Sequence, residues 1–135
     1  MIEQLQIDTH GQGLVAFTGQ LARVVRESEQ REGLCTVFIR HTSASLLVQE
    51  NHDASVRHDL EQWLDRLVPE DDSLYTHTPE GADDMPGHIK CVLTATSLAI
   101  PIIGGELALG IWQGVFLWEH RHHPQRRSVV VHIGD

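Results

Sequence analysis

Apolar residues recur loosely at Ile2, Leu5 and Ile7, which predicts an edge strand over residues 2–8. Leu14 to Phe17 forms a second short apolar run. Thr18 has the chemistry of a helix N-cap, and Leu21, Val24 and Val25 follow at helical spacing until Gly33 stops the run. Leu34 to Ile39 predicts a buried strand, ending on Arg40, His41, Thr42 and Ser43, with a further apolar run from Leu46 to Val48. From Asp53 to Leu67 the spacing predicts an amphipathic helix. Val56, Leu60, Trp63, Leu64 and Leu67 mark one face, Arg57, Asp59, Glu61 and Asp65 the other, and Asn51 and Asp53 stand where caps are needed. Another helix is predicted from Asp84 to about Ser97, with Met85, Ile89, Val92, Leu93 and Thr96 on one stripe. Asp84 and His88, four residues apart, are neighbours on its flank, and Lys90 projects from the opposite side.

Leu98–Ile103, Gly104-Gly105 and Glu106–Ile111 read as two strands around a two-residue turn. Val115–Trp118 and Val129–Ile133 supply the last strands, with Gly110 and Gly114 marking a bulge or a close backbone approach. The pattern predicts a single α+β domain over residues 1–135, one mixed or antiparallel sheet with two or three helices. Leu107, Leu109, Ile111 and Leu117 occupy one register of the last hairpin, and Trp112, Phe116 and Trp118 the other. A sheet apolar on both faces must be covered on both. Two or three helices are too few for that, so burial against further copies of the chain is expected.

Composition narrows the class. The 135 residues are 41% hydrophobic and 21% charged, as in a folded globular chain. No apolar run is long enough to span a bilayer, and the acidic N-terminal stretch lacks the form of a secretory signal. A net charge of −9 argues against a general nucleic-acid binder. Cys35 and Cys91 stand far apart without metal or redox spacing, so a reduced, cytoplasmic setting is expected, with neither membrane nor nucleic acid as partner.

Ten histidines change the picture, because each can bind a metal or titrate near neutrality. Three polar clusters stand out. Tyr75 to Lys90 (YTHTPEGADDMPGHIK) gathers His77, Glu80, Asp83, Asp84, His88 and Lys90. Arg40 to Ser45 (RHTSAS) and Glu119 to Arg121 (EHR) close apolar runs. If the strand ends meet, His41, His88 and His120 share a pocket, and three neutral imidazoles with an open position form a zinc arrangement. Each cluster has a plainer reading: a capped helix start after a solvated loop, a hydrogen bond at a strand end, an interfacial histidine. The spacing contains no HExxH and no phosphate-cradling glycine loop.

The segments HTSASLLVQEN, EGADDMPGHIK, SLAIPI and LALGIWQGVFLWEHR closely resemble the YjbQ-like family, over nearly the whole chain from about residue 10. Family patterns have Ala where this chain has Gly87 and Thr where it has Ile111. The resemblance implies an α+β fold assembled as a homotrimer, with the polar clusters in clefts near subunit contacts. It also implies thiamine-phosphate synthase-like transfer, in which a pyrimidine methyl pyrophosphate joins a thiazole phosphate and pyrophosphate departs. On that expectation His77, His88 and His120 are metal ligands for Mg²⁺ or Zn²⁺, with His41 close behind, and Glu80, Asp83 and Asp84 help to hold the cation. Asp84 or Glu119 acts as orienter or base, Lys90 and Arg121 hold a phosphorylated small molecule, and Ser43 stands with His41 in the catalytic set. A non-catalytic metabolite- or metal-binding trimer and a zinc-dependent hydrolase are the alternatives.

Overall fold

A computed structural model describes all 135 residues. Eight strands and three helices follow in the order β1 (Ile2–Asp8), β2 (Gly13–Ala16), α1 (Thr18–Ser28), β3 (Glu32–Ile39), β4 (Ala44–Glu50), α2 (Ala54–Leu67), α3 (Asp84–Leu93), β5 (Ser97–Ile103), β6 (Glu106–Leu107), β7 (Gln113–Glu119) and β8 (Arg126–Gly134). The fold is α+β with three helices, and every strand pair is antiparallel.

The single sheet expected from sequence is two sheets. One has five strands, β1-β8-β3-β5-β6, and the other three, β2-β7-β4. Alternation explains the split. Leu5 and Ile7, Cys35, Val37 and Ile39, Ile100 and Ile102, and Val129, Val131 and Ile133 all point inward from the large sheet. They meet Ala44, Leu46, Val115 and Leu117 of the small sheet and Leu21, Val24 and Val25 of α1 in one core. The other face of the small sheet turns Trp118 towards Leu64 and Val68, with Leu14, Leu47, Leu60 and Ile89 around them. The small sheet is therefore a middle layer, and Phe116, Leu117 and Trp118 are all buried within one chain. That removes the hairpin argument for copies as far as β7 is concerned. Ile111 and Trp112 lie instead in an exposed turn before β7.

Local signals account for most element ends. Asp53 caps α2, its carboxylate accepting the Ser55 N–H. Thr18 is the first residue of α1 rather than its cap, and its hydroxyl accepts the Val115 N–H from β7. Gly104 and Gly105 both have positive φ, 63° and 82°, as a type I′ hairpin turn requires. The strand after that turn stops at Leu107, short of the expected Ile111.

Helix α3 contradicts its own amphipathic pattern. It ends at Leu93 and buries Asp84, Pro86, Gly87 and Lys90, whereas Val92 and Leu93 face outward. The approach at Gly87 leaves room for a methyl group, since a Cβ there would stand 3.5 Å from His120 Cβ and 3.6 Å from Ser43 Cβ. Ion pairs then satisfy the buried charges: Lys90 Nζ donates to Asp65 Oδ1 of α2 at 2.7 Å. The polar face of α3 is thus brought against the ends of β4 and β7, where the candidate residues lie. No helix is long and apolar enough to cross a membrane.

Candidate metal centre

The loop before α3 and the first turns of that helix converge on Asp84. Its Oδ2 lies 2.8 Å from His77 Nε2 and 3.0 Å from His88 Nε2, and its Oδ1 accepts from Arg121 Nη1 at 2.6 Å. The i, i+4 spacing stacks Asp84 and His88 on one helix face, and the loop returns His77 to the same carboxylate. Donor atoms of His77, Asp84 and His88 all lie within 4.8 Å of one another. Glu80 stands at the rim, its Oε2 3.9 Å from His77 Nε2.

Asp84 is almost fully buried, which pushes its carboxyl up. The hydrogen bond from His77 and the Arg121 guanidinium outweigh burial and hold it below the usual carboxylate range. Asp83 follows the same logic: burial is overcome by the His122 N–H and by Arg121. Arg121 also donates from Nη2 to the Glu80 carbonyl at 2.7 Å. Its Nε lies 3.2 Å from Asp83 Oδ2, an ion pair by distance without an aligned hydrogen bond.

His88 carries the most informative geometry. Its Nδ1 is 2.8 Å from the carbonyl oxygen of Thr42, which can only accept, so Nδ1 bears a proton. In the neutral ring Nε2 is then a lone pair, and it faces a carboxylate oxygen 3.0 Å away. Two acceptors in that arrangement repel unless a positive charge joins them. A backbone carbonyl fixing Nδ1–H so that Nε2 is free is also how ligating histidines are oriented.

Of the other candidates, His41 lines a cleft with His88, whereas His120, Ser43, Glu119 and Lys90 lie outside the cluster. His120 is outside the convergent set: it is 1% exposed, its Nε2 lies 2.9 Å from Ser45 Oγ, and its Nδ1 has no partner. Burial, then the charges of Lys90 and Arg127, lowers its pKa to about 3, so it is neutral. His41 accepts the Ser128 N–H on Nε2 at 2.8 Å. Glu119 Oε1 accepts from Thr9 Oγ1 at 2.7 Å and from Arg127 Nε at 2.8 Å, and its Oε2 pairs with Arg127 Nη2. Ser43 Oγ and its carbonyl accept from Arg127 Nη2 as well. These contacts make Ser43, Glu119 and Arg127 a sealed brace beneath the site. Lys90 and Arg121 are each engaged by carboxylates, so neither can hold a phosphate without releasing its partner.

Sequence reasoning missed Thr9, Ser45, Asp65, Arg127 and the Thr42 carbonyl. Each joins segments distant along the chain, and no spacing rule connects them. Thr42 and Ser45 fall within the RHTSAS cluster and Asp65 on the polar face of α2, but neither signal names a partner.

Comparison with known proteins follows the same outline. The family model "UPF0047 protein YjbQ-like" matches residues 3–135. A UPF0047 protein of Synechocystis sp. is 54% identical over 131 residues, covering 97% of this chain and 89% of that one. The UPF0047 protein YjbQ of Escherichia coli O157:H7 is 48% identical over 98 residues, 73% of this chain and 70% of that one. Among solved structures, a conserved hypothetical protein from Thermus thermophilus superposes with a TM-score of 0.88 at 32% identity, covering 98% and 99% of the two chains. A likeness of fold alone, at 21% identity and a TM-score of 0.86 over 98% and 96% of the chains, is described as a YbjQ-like protein of unknown function from Sulfolobus solfataricus.

These findings overturn the expectation of thiamine-phosphate synthase activity. The family description and the names of the relatives specify no synthase or transferase activity. The resemblance carries the fold, and this chain belongs to the UPF0047 YjbQ-like family.

Proposed function

We propose that this chain binds a divalent metal ion, zinc by its donor set, between His77 Nε2, Asp84 Oδ2 and His88 Nε2. The observation that carries the reading is the unmatched pair of acceptors, His88 Nε2 and Asp84 Oδ2, with His88 Nδ1 already committed to a carbonyl. A proton on His88 Nε2 would also join the pair. His77, neutral with its proton on Nε2, can donate to Asp84 Oδ2, so that alternative charges the His88 ring alone. A metal ion instead uses both Nε2 lone pairs and joins all three donors with neither ring charged. One ion replaces both protons. The separations of 2.8 and 3.0 Å to Asp84 Oδ2 are shorter than the ~3.3 Å edge of a tetrahedron with ~2.0–2.1 Å bonds. All three donors lie within 4.8 Å of one another, so the side chains would spread about the ion on binding it.

In this reading Arg121 holds Asp84 Oδ1, so that only Oδ2 faces the ion. Thr42 fixes the tautomer of His88, and Glu80 stands near enough to exchange a proton with a ligand. A bound ion would supply Lewis acidity at its open positions. The setting is a reducing one, in keeping with unpaired Cys35 and Cys91, the former buried. We also propose that the chain self-associates as a homotrimer, which would cover the half-exposed Trp63, Leu67, Leu93 and Trp112 and the exposed Ile111.

Metal analysis of untagged protein tests the main reading, together with zinc titration of wild type, His77→Ala, His88→Ala and Asp84→Asn. Near-stoichiometric zinc lost in all three variants is expected. Wild-type protein that takes up no divalent ion sinks the proposal.

A further inference from the structure

His88 belongs to two surfaces. Its Nε2 faces Asp84, and the same residue lines a shallow cleft of about 340 Å³ with His41, Thr42, Cys91, Val92 and Thr96. The metal cluster and the cleft are therefore separated by no more than one imidazole ring.

The chemistry of the cleft differs from that of the cluster. No carboxylate, lysine or arginine lines it. The Cys91 thiol donates to the Ala44 carbonyl at 3.3 Å, and burial pushes its pKa up to about 11, so it stays protonated and uncharged. Thr42, Val92 and Thr96 complete the lining. His41 adds one fixed polar group: because Nε2 accepts the Ser128 N–H, the neutral ring carries its proton on Nδ1, and Nδ1 has no acceptor within the chain. Burial and the nearby Arg127 disfavour the charged form of that ring. The result is a small apolar seat with a single neutral donor beside a cluster of metal-binding atoms.

We propose that this cleft is a ligand subsite, seating a flat, uncharged, hydrogen-bond-accepting group of a small organic molecule whose metal-seeking end sits at His77, Asp84 and His88. It rests on the metal reading above. A ligand of this class has an oxygen-rich head and an adjoining heteroaromatic or carbonyl-bearing ring, and its ring end carries no charge, because nothing in the cleft would neutralise one.

Two hydroxamates test it on the zinc-loaded full chain. Acetohydroxamate and nicotinohydroxamate share a metal-binding head and differ in methyl against pyridine ring. Nicotinohydroxamate is expected to bind about tenfold tighter by calorimetry, a typical return for burying an aromatic ring with one hydrogen bond. In Val92→Glu, a change at an 83% exposed position, the advantage is expected to fall below about twofold, since the new charge would lie against the uncharged ring. Zinc and acetohydroxamate affinities are expected to stay unchanged. In ¹⁵N-imidazole spectra the His41 Nδ1–H signal is expected to move with nicotinohydroxamate and not with acetohydroxamate. Equal affinities for the two probes, or a still His41 signal, with zinc bound, would overturn the subsite and leave the metal site standing. Failure to take up zinc, seen before any hydroxamate is added, would remove the metal reading and the subsite together.

Discussion

Arg121 Nη1 lies 2.6 Å from Asp84 Oδ1 while both imidazoles address Asp84 Oδ2. One carboxylate is thus divided between a permanent cation and the atoms proposed to hold a metal. Removing the guanidinium frees Asp84 to rotate and leaves its burial uncompensated. Arg121→Met is expected to weaken zinc binding by about 10–100-fold, the usual effect of losing a residue that orients a ligand. Zinc titration reads the loss, and circular dichroism checks that the fold survives. Unchanged affinity would show that the helix alone orients Asp84.

Burial of His120 sets a pH dependence with a definite sign. Its folded pKa is about 3, below the ~6.5 of an unfolded chain, so between these values the unfolded state binds a proton that the folded state does not. Stability is therefore lost as pH falls from ~6.5, by up to ~1.4 kcal/mol per pH unit from this ring. The depressed Asp83 and Asp84 contribute stability above the ordinary carboxylate range and lose it only at lower pH. Urea denaturation at pH 6.5 and 4.5 is expected to show wild type losing about 2–3 kcal/mol more than His120→Gln. Equal losses would mean that water reaches the ring.

The pair Arg127–Glu119 is sealed from solvent and ties Thr9 and Ser43 to the end of β7. Deleting one partner strands the other as a buried charge. Arg127→Met and Glu119→Gln are each expected to cost about 3–5 kcal/mol in denaturant unfolding, and the double variant less than the sum. Additive losses would show that the two groups do not share one energy well.

These costs explain which parts of the molecule could be read from the chain. Helix α2 and its Asp53 cap, β3 and β8 were legible because local alternation and capping chemistry fixed them. Helix α3 was not. Its apolar stripe predicts the wrong inward face, because the Lys90–Asp65 and Asp84–Arg121 pairs satisfy the charges of the polar one when it is buried. Asp84 and His88 were legible as neighbours, since i, i+4 geometry is local. The partition of histidines was not. His120 pairs with Ser45, 75 residues away, whereas His77 reaches Asp84 through a loop whose path no periodicity records.

Self-association gives an outcome at Ile111 and Trp112. Both lie in the exposed turn before β7, where Trp112 meets His52 edge-on, ring centroids 4.7 Å apart. Substitution by Asp there leaves the single-chain core untouched. Sedimentation of wild type is expected to give three times the chain mass, and Ile111→Asp/Trp112→Asp one chain mass with an unchanged far-UV spectrum. A wild-type protein sedimenting as a monomer at tens of micromolar would refute the trimer.

Gly87 offers the cleanest separation of packing from chemistry. It sits inside α3, where glycine costs a helix about 1 kcal/mol relative to alanine. A methyl group there would meet His120 Cβ and Ser43 Cβ at 3.5 and 3.6 Å, ordinary contact distances. Nothing needs to move, so the helix propensity gain is retained. Gly87→Ala is expected to raise unfolding stability by about 0.5–1 kcal/mol with zinc affinity unchanged. A loss of stability would mean that the α3 backbone lies closer to β4 and β7 than those distances indicate. A fall in zinc affinity with stability intact would instead show His88 being turned away from Asp84 by the added methyl.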